Sequence, residues 1–285
     1  MSARDKLKLN TIESAINDIR LGKVIIVVDD KNRENEGDFV AAAEAISPEI
    51  INFMATHGRG LICAPVTHKL SKRLKLNLMV GSSSDPQDTA FTVSVDYKGN
   101  GVSTGISAAD RSKTIKALID TETKSHQFSK PGHVFPLIAK DGGVLRRTGH
   151  TEAAIDFARL SGMKPVGIIC EIMNSDGTMA RLEDLFHFGQ SHGIRIGTIA
   201  ELIRYRLKVE PTVWRVAESR VKTKYGDFRA VIYEDAELHQ VHLALIAGTI
   251  VPDQSTLVRV HSHRGVYDTL AEARGIQRWS VDAAL

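Results

Sequence analysis

Residues 24–38 read VIIVVDDKNRENEGD, an apolar run followed at once by a dense charged stretch. The apolar residues 24–28 predict a strand that is buried on both faces of a sheet. Five carboxylates, two cations and a glycine lie among the ten positions 29–38 that follow. Strand ends are where α/β sheets place ligands, and Mg²⁺ prefers oxygen ligands. The stretch therefore indicates a candidate cation site, with a solvated charged loop as the alternative.

Apolar periodicity and capping residues predict further helices and strands on both sides of this stretch. Thr11 begins a helix that ends at Gly22, and Ser47-Pro48 begin a second helix that ends by Gly58. Since some connections are too short for parallel crossovers, we expect a mixed sheet with helices covering its faces. The other predicted helices are residues 107–120, 151–160, 182–192 and 199–206, and the other predicted strands are residues 60–66, 91–96, 134–139, 165–172 and 194–198.

The chain changes in character near residue 208. The part before this point holds 18 of the 22 glycines, both cysteines and the whole net charge of +3. Pro211 ends the preceding helix, so residues 208–212 are interpreted as a linker. We therefore predict a first domain of residues 1–207 and a small, mainly β domain of residues 208–285. The strands predicted in the second domain are residues 214–220, 228–233, 242–250 and 257–261.

The composition excludes several classes of protein. Two cysteines among 285 residues are too few for a disulfide framework or for a structural zinc site of three or four thiolates. No apolar run approaches the ~18 residues of a membrane span, and the first twenty residues hold no signal-peptide core. Lys and Arg form no cluster with aromatic residues of the kind that binds nucleic acid. We expect a cytoplasmic protein without membrane or nucleic-acid partners, whose few excess cations suit a small anionic substrate.

A second candidate site reads GGVLRRTGHTE at residues 142–152. Its glycines and arginines lead into a predicted helix, and the free N–H groups and dipole of a helix N-terminus bind anions. Arg147 adds a bidentate donor that suits phosphate. The same dipole disfavours an imidazolium at His150, so we predict a neutral His150 that is available to a metal. An ordinary capped helix with a surface histidine is the alternative.

Further segments hold side chains suited to acid–base or anion chemistry. His133 lies between a Pro-Gly pair and a predicted strand, which indicates a ring of fixed orientation; a structural histidine is the alternative. Glu171 ends an apolar strand, where burial is expected to raise a carboxyl pKa into the range of a general acid or base; an acid facing water is the alternative. Thr104 lies in VSTGIS, a candidate anion contact before a helix. Cys63 is interpreted as a small buried hydrophobic residue.

Taken together and in this order, these motifs resemble 3,4-dihydroxy-2-butanone 4-phosphate synthase of riboflavin biosynthesis. The resemblance implies a three-layer α+β sandwich on a mixed sheet, assembled as a homodimer with its sites near the subunit interface. It covers residues 8–207 and rests on Asp30 with Arg33–Asp38, Gly60–Cys63, Thr104–Arg111, Pro131–Leu137, Arg147–Ala154 and Cys170–Ile172.

The same resemblance implies a reaction and the residues that perform it. D-ribulose 5-phosphate becomes L-3,4-dihydroxy-2-butanone 4-phosphate and formate through enolisation, dehydration, skeletal rearrangement and formate release. The implied cofactor is Mg²⁺, with Mn²⁺ as an open alternative and two ions per site, held by Glu34 and His150. His133 and Glu171 form the implied acid–base pair, and Asp38 shares the proton transfers. The implied substrate-binding residues are Asp30, Arg33, Glu34, Asp38, Cys63, Thr104, Arg147, Thr148, Gly149, His150, Thr151 and Glu171.

The tail is similar to the start of GTP cyclohydrolase II, which is commonly fused behind this synthase. The similarity rests on Tyr225–Phe228, His242–Leu245 and Leu257–Ser262. Where that family continues into its zinc-binding cysteines, this sequence reads HRGVY at residues 263–267 and has none of them. We therefore expect a truncated, inactive remnant without zinc that serves folding, dimer packing or regulation. The alternatives are a bifunctional enzyme, a non-catalytic regulator, and a metal site rebuilt from His239, His242, His261 and His263.

Overall fold

The computed structural model describes residues 9–81, 87, 89–99, 101–235 and 240–261. The chain divides into two compact units, residues 1–210 and residues 211–285. The described helices of the first unit are α1 (Ile12–Arg20), α2 (Pro48–Phe53), α3 (His68–Leu74), α4 (Ala108–Ile119), α5 (His150–Leu160), α6 (Leu182–His192) and α7 (Ile199–Val209). Its described strands are β1 (Ile25–Val28), β2 (Gly37–Ala42), β3 (Cys63–Val66), β4 (Val95–Tyr97), β5 (Phe128–Ile138), β6 (Gly167–Glu171) and β7 (Ile196–Thr198).

The described strands of the first unit form one mixed sheet in the order β4-β5-β3-β6-β2-β1-β7. The pairs β1–β7 and β3–β5 are parallel, and the other neighbours are antiparallel. The charged loop of residues 29–36 connects β1 to β2, and the pairing of Val28 with Gly37 brings its two ends together. The mixed sheet expected from the short connections is confirmed.

Helices cover both faces of this sheet and produce three layers. On one face, Phe39 of β2 belongs to a core cluster with Ile51 of α2 and Leu185 of α6. On the other face, Val40 of β2 belongs to a cluster with Phe157 of α5. Successive strand residues point to opposite faces of a sheet, so both sides of β2 are buried. The three-layer α+β sandwich is confirmed.

The predicted helices begin at residues whose side chains cap the first N–H groups of the helix. Thr11 Oγ1 accepts a hydrogen bond from the Ser14 N–H (3.2 Å), and Ser107 Oγ accepts one from the Asp110 N–H (3.0 Å). These bonds satisfy backbone donors that have no partner inside the helix. Among the described residues, no helix is both long enough and apolar enough to span a membrane.

Some elements differ from the sequence-based expectations. Helix α3 and strand β2 were not predicted; β2 is buried at every position, so it lacks the alternation that marks a half-buried strand. Strand β5 begins at Phe128 instead of residue 134, which places His133 inside a strand. In the predicted strand of residues 91–96, only isolated bridges form at Phe91 and Thr92 before β4 begins.

The second unit contains a three-stranded antiparallel sheet. Its strands are β8 (Val213–Thr223), β9 (Gly226–Asp235) and β10 (Gln240–Ile246), in the order β10-β9-β8. The strand predicted at residues 257–261 is wrong. Leu257 is fully exposed and no described strand lies beside it to pair with its backbone, and an isolated strand is not stable in water.

Two of the four histidines proposed for a rebuilt metal site, His239 and His263, lie outside the described residues. His242 lies on β10, and His261 follows the sheet without regular structure. The described part of the chain places neither of them in a group of three or more metal-ligating side chains.

Candidate active site

A cavity of about 210 Å³ opens beside the start of β2, the end of β6 and the N-terminus of α5. A cavity of about 220 Å³ beside His57 and Phe188 is lined by none of the candidate catalytic, substrate-binding or metal-binding residues, so we place the candidate active site in the first. The residues singled out from the sequence that line it are Arg33, Glu34, Asp38, Cys63, Arg147, His150, Thr151 and Glu171.

Asp29 holds the charged loop between β1 and β2 in shape. It is only 1% exposed, and its Oδ1 accepts a hydrogen bond from the Glu36 N–H (2.9 Å). Its Oδ2 accepts from the Glu34 N–H (3.0 Å) and from Arg33 Nη1 (3.1 Å). Outside the loop, Arg181 Nη1 donates to the backbone oxygen of Glu34 (3.1 Å). Glu34 is therefore presented to the cavity by a braced loop.

His150 is the first residue of α5 and is buried. Its Nε2 lies 3.1 Å from the backbone oxygen of Val27. Since a carbonyl only accepts hydrogen bonds, Nε2 carries a proton there and Nδ1 is left to face Glu34 Oε2 and Asp38 Oδ1, each 3.8 Å away. A metal-ligating histidine usually donates its second ring N–H in this way.

The carboxylates around His150 decide its charge. Burial lowers the pKa of His150, but the negative charge of Asp38, the contact with Glu34 and the charge of Asp29 outweigh burial and raise this pKa to about 9. The raised pKa favours a protonated His150 in the metal-free protein, contrary to the neutral ring expected from the helix dipole. A cation that binds at Nδ1 has to displace a proton.

Among the described residues, one group of three side chains can hold a metal ion: Asp29, Glu34 and His150. One ligand atom from each lies within 4.8 Å of the others. Both oxygens of Asp29 already accept backbone N–H groups, so its contacts suit support of the loop. The contact with His150, 3.8 Å away, contributes most to lowering the pKa of Glu34, which keeps that side chain a carboxylate. The donor set fits a hard divalent cation bound by Glu34 and His150.

Asp38 is a buried carboxyl group whose protonation changes near neutral pH. It lies directly opposite Glu171 in the β2–β6 ladder and is 3% exposed. Burial raises the pKa of Asp38 to about 7. The negative charges of Glu171 and Glu34 raise this pKa further, and His150 lowers it. A group with this pKa can accept or donate a proton at physiological pH.

Glu171 is positioned by the backbone that precedes β3. Its Oε2 accepts a hydrogen bond from the Leu61 N–H (2.8 Å). A Cβ atom on Gly60 would lie 2.5 Å from the same oxygen, so only glycine permits this approach. Cys63 lines the cavity nearby as a free thiol, and burial raises its pKa. Cys63 therefore contributes a neutral wall.

Arg147 and the start of α5 also line the cavity. Arg147 Nη1 lies 2.6 Å from Glu152 Oε2, and Nε and Nη2 donate to the Gln87 backbone oxygen (3.1 and 2.9 Å). Gly149 is the N-cap of α5 and supplies no side-chain cap. The first-turn N–H groups, including that of Thr151, are therefore suited to bind an anion.

Five predicted site residues do not line the cavity. Thr148 and Gly149 connect Arg147 to α5 and lie beside it in the chain. Asp30 accepts a hydrogen bond from the Asn32 N–H (2.9 Å) and shapes the turn that leads to Arg33. The other two residues, Thr104 and His133, belong to a separate group.

His133 contacts Asp96 at the edge of the sheet formed by β4 and β5, and Thr104 is next in the chain to Gly105, which packs against the same Asp96. His133 Nδ1 is 2.7 Å from Asp96 Oδ2, and its side chain is 43% exposed. Thr104 is exposed and precedes Gly105, where a Cβ atom would lie 2.1 Å from the same Asp96 oxygen. The structure thus divides the predicted residues between a cavity group and an edge group.

Several residues of the cavity were missed at the level of sequence. Glu36 belongs to the acidic run, but the sequence pattern predicts no site role for it. Burial raises the pKa of Glu36, and the negative charge of Glu34 raises it further. Gln87, Thr89 and Phe91 also line the cavity. Nothing in the pattern around these three residues distinguishes them, because they reach the cavity only through the folding of the chain.

The family models that match the chain agree with this architecture. The model described as 3,4-dihydroxy-2-butanone 4-phosphate synthase matches residues 13–205, and the model described as GTP cyclohydrolase II matches residues 214–285. The first match spans the sheet, the helices and the cavity. The chain belongs to the 3,4-dihydroxy-2-butanone 4-phosphate synthase family, and the resemblance inferred from its motifs is confirmed.

Curated relatives are longer than this chain. The protein from Cytophaga hutchinsonii named riboflavin biosynthesis protein RibBA is 54% identical over 90% of this chain and 64% of its own length. The protein of the same name from Aquifex aeolicus is 51% identical over 92% of this chain and 65% of its own length. The chain thus spans slightly less than two thirds of the length of these relatives.

Solved structures give the same assignment. RibBX from A. baumannii, described as a two-domain 3,4-dihydroxy-2-butanone 4-phosphate synthase, is similar with a TM-score of 0.80 and 43% identity, covering 97% of this chain and 80% of that one. A 3,4-dihydroxy-2-butanone 4-phosphate synthase in complex with two magnesium ions has a TM-score of 0.68 and 38% identity, covering 71% of this chain and 99% of that one.

Proposed function

We propose that this protein converts D-ribulose 5-phosphate into L-3,4-dihydroxy-2-butanone 4-phosphate and formate in riboflavin biosynthesis. The observation that carries the proposal is a cavity lined both by an acidic cation site and by hydrogen-bond donors suited to an anion. Glu34 and His150 form the first, and Arg147 and Thr151 supply the second. A phosphorylated ketose presents oxygens for the metal at one end and a phosphate at the other.

The residues of the cavity suit separate tasks in this reaction. Glu34 and His150 hold Mg²⁺, with Mn²⁺ as an alternative ion and two ions per site; one solved relative is described in complex with two magnesium ions. When bound, the cation stabilises the negative charge that develops on the substrate oxygens after enolisation. Asp38 and Glu171 lie opposite one another across the β2–β6 ladder and exchange protons with the sugar carbons and hydroxyls. Arg147 and the first turn of α5 bind the phosphate.

We propose that a second copy of the chain completes the site in a homodimer. His133 and Thr104 are absent from the lining of the cavity among the described residues, although the family resemblance assigns both to the site. The side chain of His133 is 43% exposed at the sheet edge, where it can enter a neighbouring copy. Symmetric dimers use the same surface on both subunits, so each subunit gives its edge group to the other subunit's cavity.

Mixed dimers test this exchange. His133→Gln and His150→Ala variants are each expected to keep only a small residual rate, and an equal mixture after subunit exchange regains about a quarter of wild-type activity. Half of the dimers are then hybrids, and each hybrid contains one complete site of two. No recovery in a mixture shown by mass spectrometry to contain hybrids would contradict the exchange of His133.

The activity itself is tested by incubating the metal-depleted protein with ribulose 5-phosphate and measuring formate. Formate is expected only after Mg²⁺ is added back, and Glu34→Gln abolishes it. Glu183, an exposed carboxylate on α6, provides the matched control, since Glu183→Gln leaves formate release unchanged. Absence of formate with Mg²⁺ present would overturn the proposal.

We propose that residues 208–285, as they stand in this sequence, do not open GTP or bind zinc. Both cysteines, Cys63 and Cys170, lie before residue 208, so this part supplies no thiolate ligand. Conversion of GTP by the protein with added zinc would refute this.

We also place the protein in the cytoplasm, a reducing compartment in which its two free thiols are stable, without nucleic-acid or membrane partners.

A further inference from the structure

Asp96 contacts His133 through both oxygens of its carboxylate. Oδ1 accepts a hydrogen bond from the His133 backbone N–H (2.9 Å), and Oδ2 lies 2.7 Å from Nδ1 of the ring. Asp96 is 8% exposed, so this pair is shielded from competing water on the carboxylate side. A carboxylate only accepts hydrogen bonds, so Nδ1 carries the proton and a neutral His133 ring leaves Nε2 with a free lone pair. The described residues offer Nε2 no hydrogen-bond partner.

Two glycines allow the chain to close around this pair. A Cβ atom on Gly132 would lie 2.1 Å from the backbone carbon of Val95, and the Gly132 N–H donates to Ser94 Oγ (3.1 Å). Gly105 has a positive φ of 93°, and a Cβ atom there would lie 2.1 Å from Asp96 Oδ2. Strand β5 and the loop before α4 therefore both pack closely against β4 at Asp96, the residue that contacts His133.

We propose that Asp96 is a positioning residue that fixes His133 in the Nδ1–H tautomer, so that Nε2 is the proton acceptor in the reaction. This inference rests on the proposed function. In the step, a proton leaves a substrate carbon or hydroxyl for Nε2, and the electron pair of the broken bond stays on the substrate. The ring becomes an imidazolium whose Nδ1–H still donates to Asp96, and the carboxylate stabilises the new positive charge.

The Asp96→Asn variant tests the tautomer with little change in shape. The His133 backbone N–H needs an acceptor, so the amide oxygen of the new side chain takes the place of Asp96 Oδ1. The NH₂ group then takes the place of Oδ2 and faces Nδ1 of the ring. Nδ1 must then accept, and the proton moves to Nε2. We expect kcat to fall between about 100- and 10,000-fold, with KM changed less than about threefold. Asp120→Asn is the matched control: its carboxylate also accepts a backbone N–H, from Glu122 (3.0 Å), and its kcat is unchanged.

Two further measurements separate positioning from a structural role. In a His133→Gln background, Asp96→Asn is expected to lower kcat no further, because Asp96 acts through His133; an additional loss of tenfold or more would overturn the proposal. Nitrogen NMR of the wild-type protein, with the His133 signal assigned by its loss in His133→Gln, is expected to report the Nδ1–H tautomer. An Nε2–H tautomer, or a wild-type kcat in Asp96→Asn, would also overturn it. Wild-type protein that releases no formate refutes the proposed function instead, and the NMR result then decides the tautomer independently.

Discussion

Gly60→Ala is a small change that tests whether the position of Glu171 matters for turnover. The new Cβ atom would lie 2.5 Å from Glu171 Oε2, 2.6 Å from its backbone oxygen and 2.7 Å from its backbone nitrogen. Ordinary contacts of this kind begin at 3.4 Å, so the glutamate has to move by about 0.9 Å. A misplacement near 1 Å at a reacting group costs on the order of 100-fold in rate. We expect kcat for formate release to fall by about that factor.

The stability of the same variant must be measured with the rate. Overpacking costs roughly 1–3 kcal/mol, so urea unfolding should show an unfolding free energy that is lower by that amount. The variant should still be folded at the assay temperature. Gly81→Ala is the matched control, because no described residue lies within 4 Å of its added Cβ atom and its φ is not positive. A folded Gly60→Ala variant with the wild-type kcat would refute the reasoning that Glu171 must occupy its observed position.

Three further changes test the metal site and the fold. Glu34→Gln is expected to abolish Mg²⁺-dependent turnover with less than about 1 kcal/mol change in unfolding free energy. Because the pKa of His150 is raised from 6.5 to about 9, apparent Mg²⁺ affinity should rise with pH across that range, by up to about tenfold per unit, and calorimetry should detect proton release. Arg206→Met leaves the buried Asp156 carboxylate without the cation 3.0 Å away, so urea unfolding should show a loss of about 3–5 kcal/mol.

One result would contradict each of these three predictions. Wild-type turnover in Glu34→Gln would remove that side chain from the metal site. A Mg²⁺ affinity that does not vary with pH would contradict the protonated state of His150. An unchanged unfolding free energy in Arg206→Met would contradict an essential pairing with Asp156, while its turnover at a temperature well below unfolding is expected to be unchanged.

Features that depend on neighbouring residues could be predicted from the sequence. Thr11, Ser47 and Ser107 begin helices because their side chains cap N–H groups three residues further on. The apolar run that ends at Val28 predicts its strand for a similar reason. The cavity group was also accessible, because Glu34 and Asp38 lie in one motif and His150 starts a helix, so each occupies a place where strand and helix ends collect ligands.

Features that depend on the packing of distant segments could not be predicted in this way. The raised pKa of His150 comes from carboxylates of the β1–β2 loop and β2, more than 100 positions away in sequence, and these outweigh the effect of burial. The pairing of His133 with Asp96 joins residues 37 positions apart. Strand β2 has no alternation of polar and apolar residues because both its faces are covered. In each case the missing information is tertiary.

The central claim is tested most directly by product analysis with uniformly carbon-13-labelled ribulose 5-phosphate. NMR of the wild-type protein with Mg²⁺ is predicted to show one formate and one four-carbon phosphorylated ketone for each ribulose 5-phosphate consumed, and no turnover after chelation. Consumption without formate, or formate release at the same rate in His150→Ala as in the wild type, would contradict the account of the site.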